Sequence, residues 1–323
     1  MLEDVDIDRF RGQPVAIATG GSSMERDISL ETGRAFEEAL RNRGYDVTVY
    51  DVASDLEQLA DDRPAAVLLG IHGGLGERGA LQGFLESLEI PYTGSGVLGS
   101  ALAMDKRRAR SLCAGVDTPV ADALWCVREQ LDSIDDVADD VDDALSYPVV
   151  AKLNDSGSSF GVHICRDRGE FVDACQSLRR ELTAGPSSGV LIEEFVDGPE
   201  YTVGFFDHRC LGVMEIRPED GFYDFEAKYE SGDTDYIVVD ESSICDPLVE
   251  WSQSVLEVLG CRGVARVDFK GRPDTSGPVA MLEVNTIPGM TATSLVPKMA
   301  ASRGISFDEF VEAMLASARL DAG

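Results

Sequence analysis

GVARVDFKGRPDTSGPVAMLEVNTIPGM (residues 263–290) holds two apolar runs on either side of a turn-rich connection, with a few polar side chains set into each run. A strand sends alternate side chains to opposite faces, so Arg266 and Asp268 share one face while Ala265, Val267 and Phe269 take the other. Glu283 and Asn285 share a face in the same way. The connection GRPDTSGP is rich in turn formers, which predicts an antiparallel hairpin with Arg266, Asp268, Glu283 and Asn285 gathered on one side. Two carboxylates about 5 Å apart across a ladder repel by roughly 3 kcal/mol at an effective dielectric of about 20, so the cluster calls for a cation. Oxygen donors without Cys or His select a hard ion, most simply Mg²⁺, which keeps waters and substrate phosphate in its shell. The bland alternative is a salt-bridged sheet face; three acid or amide positions aligned with an arginine favour the ion. The exit turn TIPGM adds amides that can face a developing oxyanion.

Upstream, residues 13–95 alternate short apolar runs (PVAIAT, YDVTVYDV, AAVLLGI) with helical patterns, one from Glu25 to about Arg43 and another near 79–89. That alternation predicts a parallel sheet with helices on its faces. From about 96 to 185 the pattern gives one long helix (VLGSALAMDKRRARSLCAG), an acidic helix, the strands YPVVAKL and FGVHICR, and a further helix. Ile134, Val137, Ala138, Val141 and Leu145 fall at helical spacing, so the acid run around them is a solvated helix face. Residues 188–320 begin with β-rich segments, pass a polar loop near 218–236, and close with helices near 294–303 and 307–320. Ser306 and Glu309 have capping-box spacing. The fold class expected is α/β: a parallel-sheet α/β domain (1–98), then an α+β part in two units (99–186 and 187–323).

Composition narrows the partners. Against 59 Asp and Glu the chain carries 28 Lys and Arg, a net charge of −31, which argues against unaided binding to nucleic acid or anionic membranes. A large acid excess repels itself unless salt screens it, so a high-salt cytosol is the expectation. Lysine is scarce: only Lys106, Lys152, Lys228, Lys270 and Lys298 occur. Seven dispersed cysteines without a C-x-x-C pair read as reduced thiols. The acidic N-terminus lacks an apolar leader, and no run approaches the roughly 18 residues of a membrane span, so a soluble cytoplasmic protein is expected.

Further stretches have the look of ligand loops. VVAKLNDSGSSFGV sets Lys152 on a strand before a small-residue loop that suits phosphate, although the loop alone reads as readily as a hairpin turn. It is not a Walker A loop. GSGVLG (94–99) fits a dinucleotide pattern, but the strand before it is weak and Asp117 precedes a proline without ending a second parallel strand. TGGSSMERDIS and IHGGLGERGALQG each follow a strand, at the carboxyl edge where α/β sheets bind ligands.

Taken together these stretches resemble the D-alanine–D-alanine ligases of the ATP-grasp superfamily from about residue 14 to 318. The markers, in the family's order, are GGSSMERDIS, HGGLGERGALQG, PYTGSGVLGSALAMDK, SGSSFGV, LIEEFVDGPEYTV, FYDFEAKY, ARVDF and LEVNTIPGMTATSLVP. The resemblance implies a two-subdomain ATP-grasp fold behind the N-terminal domain and an ATP-dependent ligase making a peptidoglycan precursor. It places Lys106, Lys152, Ser159 and Lys228 on the phosphates of ATP, and Glu193, Glu194, Phe195, Val196 and Glu200 around adenine and ribose. Asp268, Glu283 and Asn285 match the ligands of two Mg²⁺ ions, for which Mn²⁺ can stand in; K⁺ is a further candidate cofactor. Glu25 would hold the first ammonium, linked to Ser158 and Tyr229. Arg266 and the Gly289 amide would meet the oxyanion, and His72, Ser294 and Leu295 would line the substrate site.

The partners implied are ATP and D-amino acids, with a homodimer in view. Tyr229 resembles the amide-forming members, whereas ester-forming relatives commonly carry Phe. The alternatives are an ATP-grasp ligase with D-lactate or another amino acid as acceptor, or a non-catalytic nucleotide-binding protein. Two positions depart from the pattern: Arg78 stands where HGxxGEDG has Asp, and Leu153 follows Lys152 where Pro is usual.

Overall fold

The computed structural model describes residue 2 and residues 5–157, 160–184, 187–218, 234–274 and 277–321; for residues 183, 184 and 218 only the backbone is described. Among the described residues three sheets organise the chain. The first is parallel, with strands β1 (Pro14–Thr19), β2 (Asp46–Asp51) and β3 (Val67–Leu69) in the order β2-β1-β3. Val15, Ala16, Ile17 and Ala18 are all buried, because elements on both faces cover the central strand. This is why the run reads as continuously apolar rather than alternating. Helices Arg26–Asn42 and Phe307–Ala316 pack into one core with it, so the end of the chain folds back onto its beginning.

The second sheet is antiparallel: β4 (Ala123–Val127), β5 (Val149–Leu153), β6 (Val162–Cys165) and β7 (Gly189–Glu194), ordered β4-β7-β5-β6. Helices Ile134–Ala144 and Arg168–Ala184 cover one face. Val137, Ala138 and Val141 point inward with Phe171 and Leu178, and most of the aspartates between them face solvent, as the spacing predicts.

The third sheet is also antiparallel: β8 (Glu200–Phe206), β9 (Arg209–Pro218), β10 (Thr234–Val239), β11 (Val264–Gly271) and β12 (Val279–Asn285), ordered β10-β9-β8-β11-β12. Helix Ser242–Leu259 buries Val255 and Leu256 against one face. Helix Leu295–Ser302 lies on the other, where a Cβ at Gly204 would stand 2.5 Å from the Met299 sulfur. Ser306 and Glu309 form the expected capping box.

One sequence expectation needs revision. The long helix across 97–115 is two helices, Val97–Met104 and Lys106–Ala114, broken at Asp105. Asp105 is extended (φ −83°, ψ 91°) and its carboxylate accepts the Arg108 N–H, so it acts as an N-cap rather than an interior residue. Of the polar loop near 218–236, residues 219–233 lie outside the described residues, and the remainder belongs to β9 and β10. Among the described residues no helix is long and apolar enough to cross a membrane.

Candidate active site

β11 and β12 pair as an antiparallel hairpin whose register sets Arg266 opposite Asn285 and Asp268 opposite Glu283. Immediately after that pair the register shifts, so Phe269 faces Met281 and Leu282 is an extra residue on β12. A bulge breaks strict alternation and re-aims side chains. Met281 packs in the core and also lines the cleft between the second and third sheets, which Leu282 and Glu283 both border too. Strand alternation alone would have sent those two neighbours to opposite faces.

Arg266, Asp268 and Asn285 form a bonded cluster, and Glu283 pairs with Lys106 beside it. Arg266 places Nε and Nη2 on the two oxygens of Asp268, each at 2.9 Å. Asp268 also accepts Thr202 Oγ1 at 2.7 Å and Asn285 Nδ2 at 3.1 Å. Glu283 stands 3.1 Å from Lys106 Nζ. The protein's own cations thus answer the repulsion that the sequence reading assigned to a metal alone. Among the described residues no three His, Cys, Asp or Glu side chains converge on one point. Two carboxylates and an amide still fit a hard cation whose remaining positions go to water or phosphate oxygen.

Two cavities meet at this cluster. One, of about 140 Å³, lies between the second and third sheets and is lined by Val150, Leu153, Val162, Ile164, Phe195 and Leu282, with Lys152, Glu193, Glu200 and Lys270 among its polar groups. An apolar slot with a few convergent polar groups is what a planar base requires. Glu194 and Val196 also border it. Lys152 is buried 2.5 Å from Glu193, so these two expected ligand residues hold each other. Lys270 faces Glu200 at 3.8 Å. Leu153 donates its N–H to the Gly161 carbonyl at 3.3 Å, a bond that proline could not make.

The second cavity, of about 220 Å³, opens between the parallel sheet and the third sheet and is lined by Glu25, His72, Glu77, Arg266, Gly289, Ser294 and Leu295, among others. Lys106, Ser156 and Glu283 border both cavities. Two glycines from separate loops make room for Glu25: a Cβ at Gly73 (φ +66°) would lie 2.2 Å from its carboxylate, and one at Gly157 would lie 3.3 Å away. His72 is buried, and burial holds its pKa down at about 4. The neutral ring bonds the Ile287 carbonyl through Nδ1 and Thr32 Oγ1 through Nε2. Nδ1 must therefore carry the proton, leaving Nε2 to accept the threonine hydroxyl. Ser294 precedes helix Leu295–Ser302, and its Oγ accepts the Thr291 N–H at 3.1 Å. Gly289 lies close enough that a Cβ there would meet Ser294 Oγ at 3.2 Å.

Sequence reasoning passed over Glu77. Burial, and then the charge of Glu25, push its carboxyl up to about 8, while the Gly73 N–H bonds it at 2.8 Å. Its place in HGGLGERG was the one available signal. The GSGVLG glycines serve packing: a Cβ at Gly99 would lie 2.7 Å from the Gly260 carbonyl, and one at Gly96 would strike Asp321. Ser158, Ser159, Lys228 and Tyr229 lie outside the described residues.

Comparison with known proteins gives a consistent outcome. The family described as D-ala D-ala ligase C-terminus matches residues 112–316. The D-alanine–D-alanine ligase of Anaeromyxobacter dehalogenans strain 2CP-C is 41% identical over 320 residues, covering 97% of this chain and 99% of that protein. The crystal structure of D-alanine–D-alanine ligase from Bacillus anthracis complexed with ATP superposes with a TM-score of 0.78 at 28% identity, covering 96% of this chain and 98% of that one. The VanG D-Ala:D-Ser ligase of Enterococcus faecalis gives 0.76 at 26% identity over 94% and 98%.

Proposed function

The chain belongs to the D-alanine–D-alanine ligase family, and we propose that it joins two D-alanines at the expense of ATP, giving D-alanyl-D-alanine, ADP and phosphate. The observation that carries this reading is the contact between Lys106 and Glu283 on the wall shared by the two cavities. A phosphoryl group leaving a nucleotide in one cavity for a carboxylate in the other must cross at that wall.

On this reading the base of ATP occupies the apolar slot beside Phe195 and Val196, with Glu200 at the ribose. Lys106 and Lys152 turn from Glu283 and Glu193 to the phosphates. One D-alanine carboxylate oxygen attacks the γ-phosphorus as the bond to ADP breaks, giving an acyl phosphate. The amine of the second D-alanine then attacks the acyl carbon, and the carbon–oxygen bond to phosphate breaks. Glu25, in the pocket cleared by Gly73 and Gly157, suits the ammonium of the first substrate. Neutral His72 braces the Ile287 carbonyl beside it. Arg266 and the Gly289 amide face the tetrahedral oxyanion, and Ser294 with the Leu295 amide takes the second carboxylate at a helix N-terminus.

Asp268, Glu283 and Asn285 would hold Mg²⁺, which supplies charge neutralisation along the phosphates when bound. Lys228 and Tyr229 belong to the same proposal as residues that close over the site. All seven cysteines are free, in keeping with a reducing cytoplasm. Sedimentation would test the homodimer that the family resemblance brings into view.

The test is phosphate release with ATP, Mg²⁺ and a panel of D-alanine, D-serine, D-lactate and L-alanine in buffered high salt. Release that requires D-alanine, with a dipeptide seen by mass spectrometry, supports the reading; release with none of the panel refutes it.

A further inference from the structure

Arg78 is the next-to-last residue of HGGLGERG, and its guanidinium reaches across to the loop that follows β5. Nη2 donates to the Asp155 carbonyl at 2.8 Å, and Nη1 stands 3.4 Å from Asp155 Oδ2. Both side chains are mostly shielded, at 30% and 16% exposure. Arg78 Nε and Asp155 Oδ1 are buried and make no hydrogen bond among the described residues. A guanidinium and a carboxylate normally meet in two parallel bonds, and a buried donor or acceptor left unpaired is costly. The pair is therefore half made: the guanidinium keeps one unused donor and the carboxylate one unused acceptor among the described residues.

What Arg78 grips explains why this matters. The residues around Asp155 are anchored from the other side by the start of helix Lys106–Ala114: Asn154 accepts the Arg107 N–H at 2.9 Å, and the Ser156 carbonyl accepts Lys106 Nζ at 2.6 Å. Ser156 borders both cavities, and Gly157 borders the one holding Glu25. Residues 154–157 are thus a short span stretched between a lysine at the phosphate end and an arginine at the D-amino-acid end. Arg78 is the N-terminal part's ionic hold on this span.

We propose that Arg78 is a positioning residue that sets residues 154–157 between the two substrates, and that its contact with Asp155 closes into a two-pronged fork when both substrates are bound. The inference rests on the ligase reading of this site. It also gives physical sense to an arginine at a position where the family pattern has an acid: an aspartate there would face Asp155 with like charge.

The experiment compares wild type, Arg78→Ala, Arg78→Lys and Asp155→Asn by steady-state kinetics and by hydrogen exchange of peptides covering residues 150–157. Removing one charged, bidentate-capable partner predicts that Arg78→Ala raises KM for D-alanine by about 10-fold or more while kcat changes less than about threefold. Amide exchange in 154–157 should accelerate, and the difference from wild type should widen when ATP and D-alanine are added. Arg78→Lys, which keeps the charge without the fork, should recover part of the KM but not the substrate-dependent protection. KM and exchange both within twofold of wild type in Arg78→Ala would overturn the proposal. If Arg78→Ala fails to fold, Asp155→Asn decides by the same two readouts. If wild type shows no turnover with D-alanine, the ligase reading fails by itself, and the exchange comparison still decides whether Arg78 holds the span.

Discussion

At Glu283 a single carboxylate touches the wall of two cavities and the ammonium of Lys106. Replacing it with Gln keeps the shape and removes the charge that a hard cation needs, so Glu283→Gln should lower kcat by about 100-fold or more, the size typical of losing one electrostatic partner of a transition state. Phosphate release checks this, and a loss below tenfold would remove Glu283 from the proposed chemistry. Glu77 makes a different prediction. Buried and beside Glu25, it keeps its proton up to about pH 8, whereas an exposed glutamate releases it near 4.5. The folded chain therefore binds more protons across that window, and stability falls as pH rises through it. Glu77→Gln removes this loss: its thermal midpoint should exceed that of wild type at pH 8 and converge with it toward pH 4, and a pH-independent difference would contradict the assignment. Arg266, Asp268, Glu283 and Asn285 were legible because strand alternation assigns faces from spacing alone. Glu77 was not, because its protonation depends on burial and on Glu25, 52 residues away in the sequence.

At the level of elements, local rules were legible and non-local ones were not. The capping box at Ser306 and the apolar stripe of helix Ile134–Ala144 depend on neighbours within a turn or two, and both appear as read. The bulge at Leu282 depends on the strand opposite, so alternation could not reveal it. The break at Asp105 lies between these cases. Helical periodicity runs straight through it, yet the side chain bonds the Arg108 N–H, and Lys106 N–H is committed to the Asn154 carbonyl. Asp105→Ala should cost about 1 kcal/mol of stability through the lost cap. Because Lys106 is the first residue of the helix that the cap starts, the same change should raise KM for ATP, read against an unchanged KM in Asp308→Ala, a substitution in the first turn of the last helix that borders neither cavity. An Asp105→Ala variant with wild-type stability and wild-type KM would show that the break is set by something else.

For the molecule as a whole, charge and topology pull in different directions. The net charge of −31 pushes the chain apart, while the last helix is drawn onto the first segment by Glu312, buried between Arg11 and Arg43. Surface repulsion is screened by salt much more than a buried pair is. Thermal midpoints should therefore rise between about 0.1 and 2 M KCl, over which the screening length shrinks from roughly 10 Å to below 3 Å; a flat or falling series would contradict the high-salt expectation drawn from composition. The alternation of strands and helices made the parallel sheet legible, and the ordered motifs implied two further units behind it. The meeting of two cavities at Lys106 and Glu283 was not legible, because it requires three sheets to be placed against one another. Whether phosphoryl transfer runs across that meeting point is decided by phosphate release from ATP, with and without D-alanine, by wild type and Glu283→Gln in high KCl, followed by mass spectrometry of the product. Wild type should release phosphate only when D-alanine is present, with one D-alanyl-D-alanine per phosphate, and the variant should lose nearly all of this activity. Release that ignores D-alanine, or a variant as active as wild type, would contradict transfer across that meeting point.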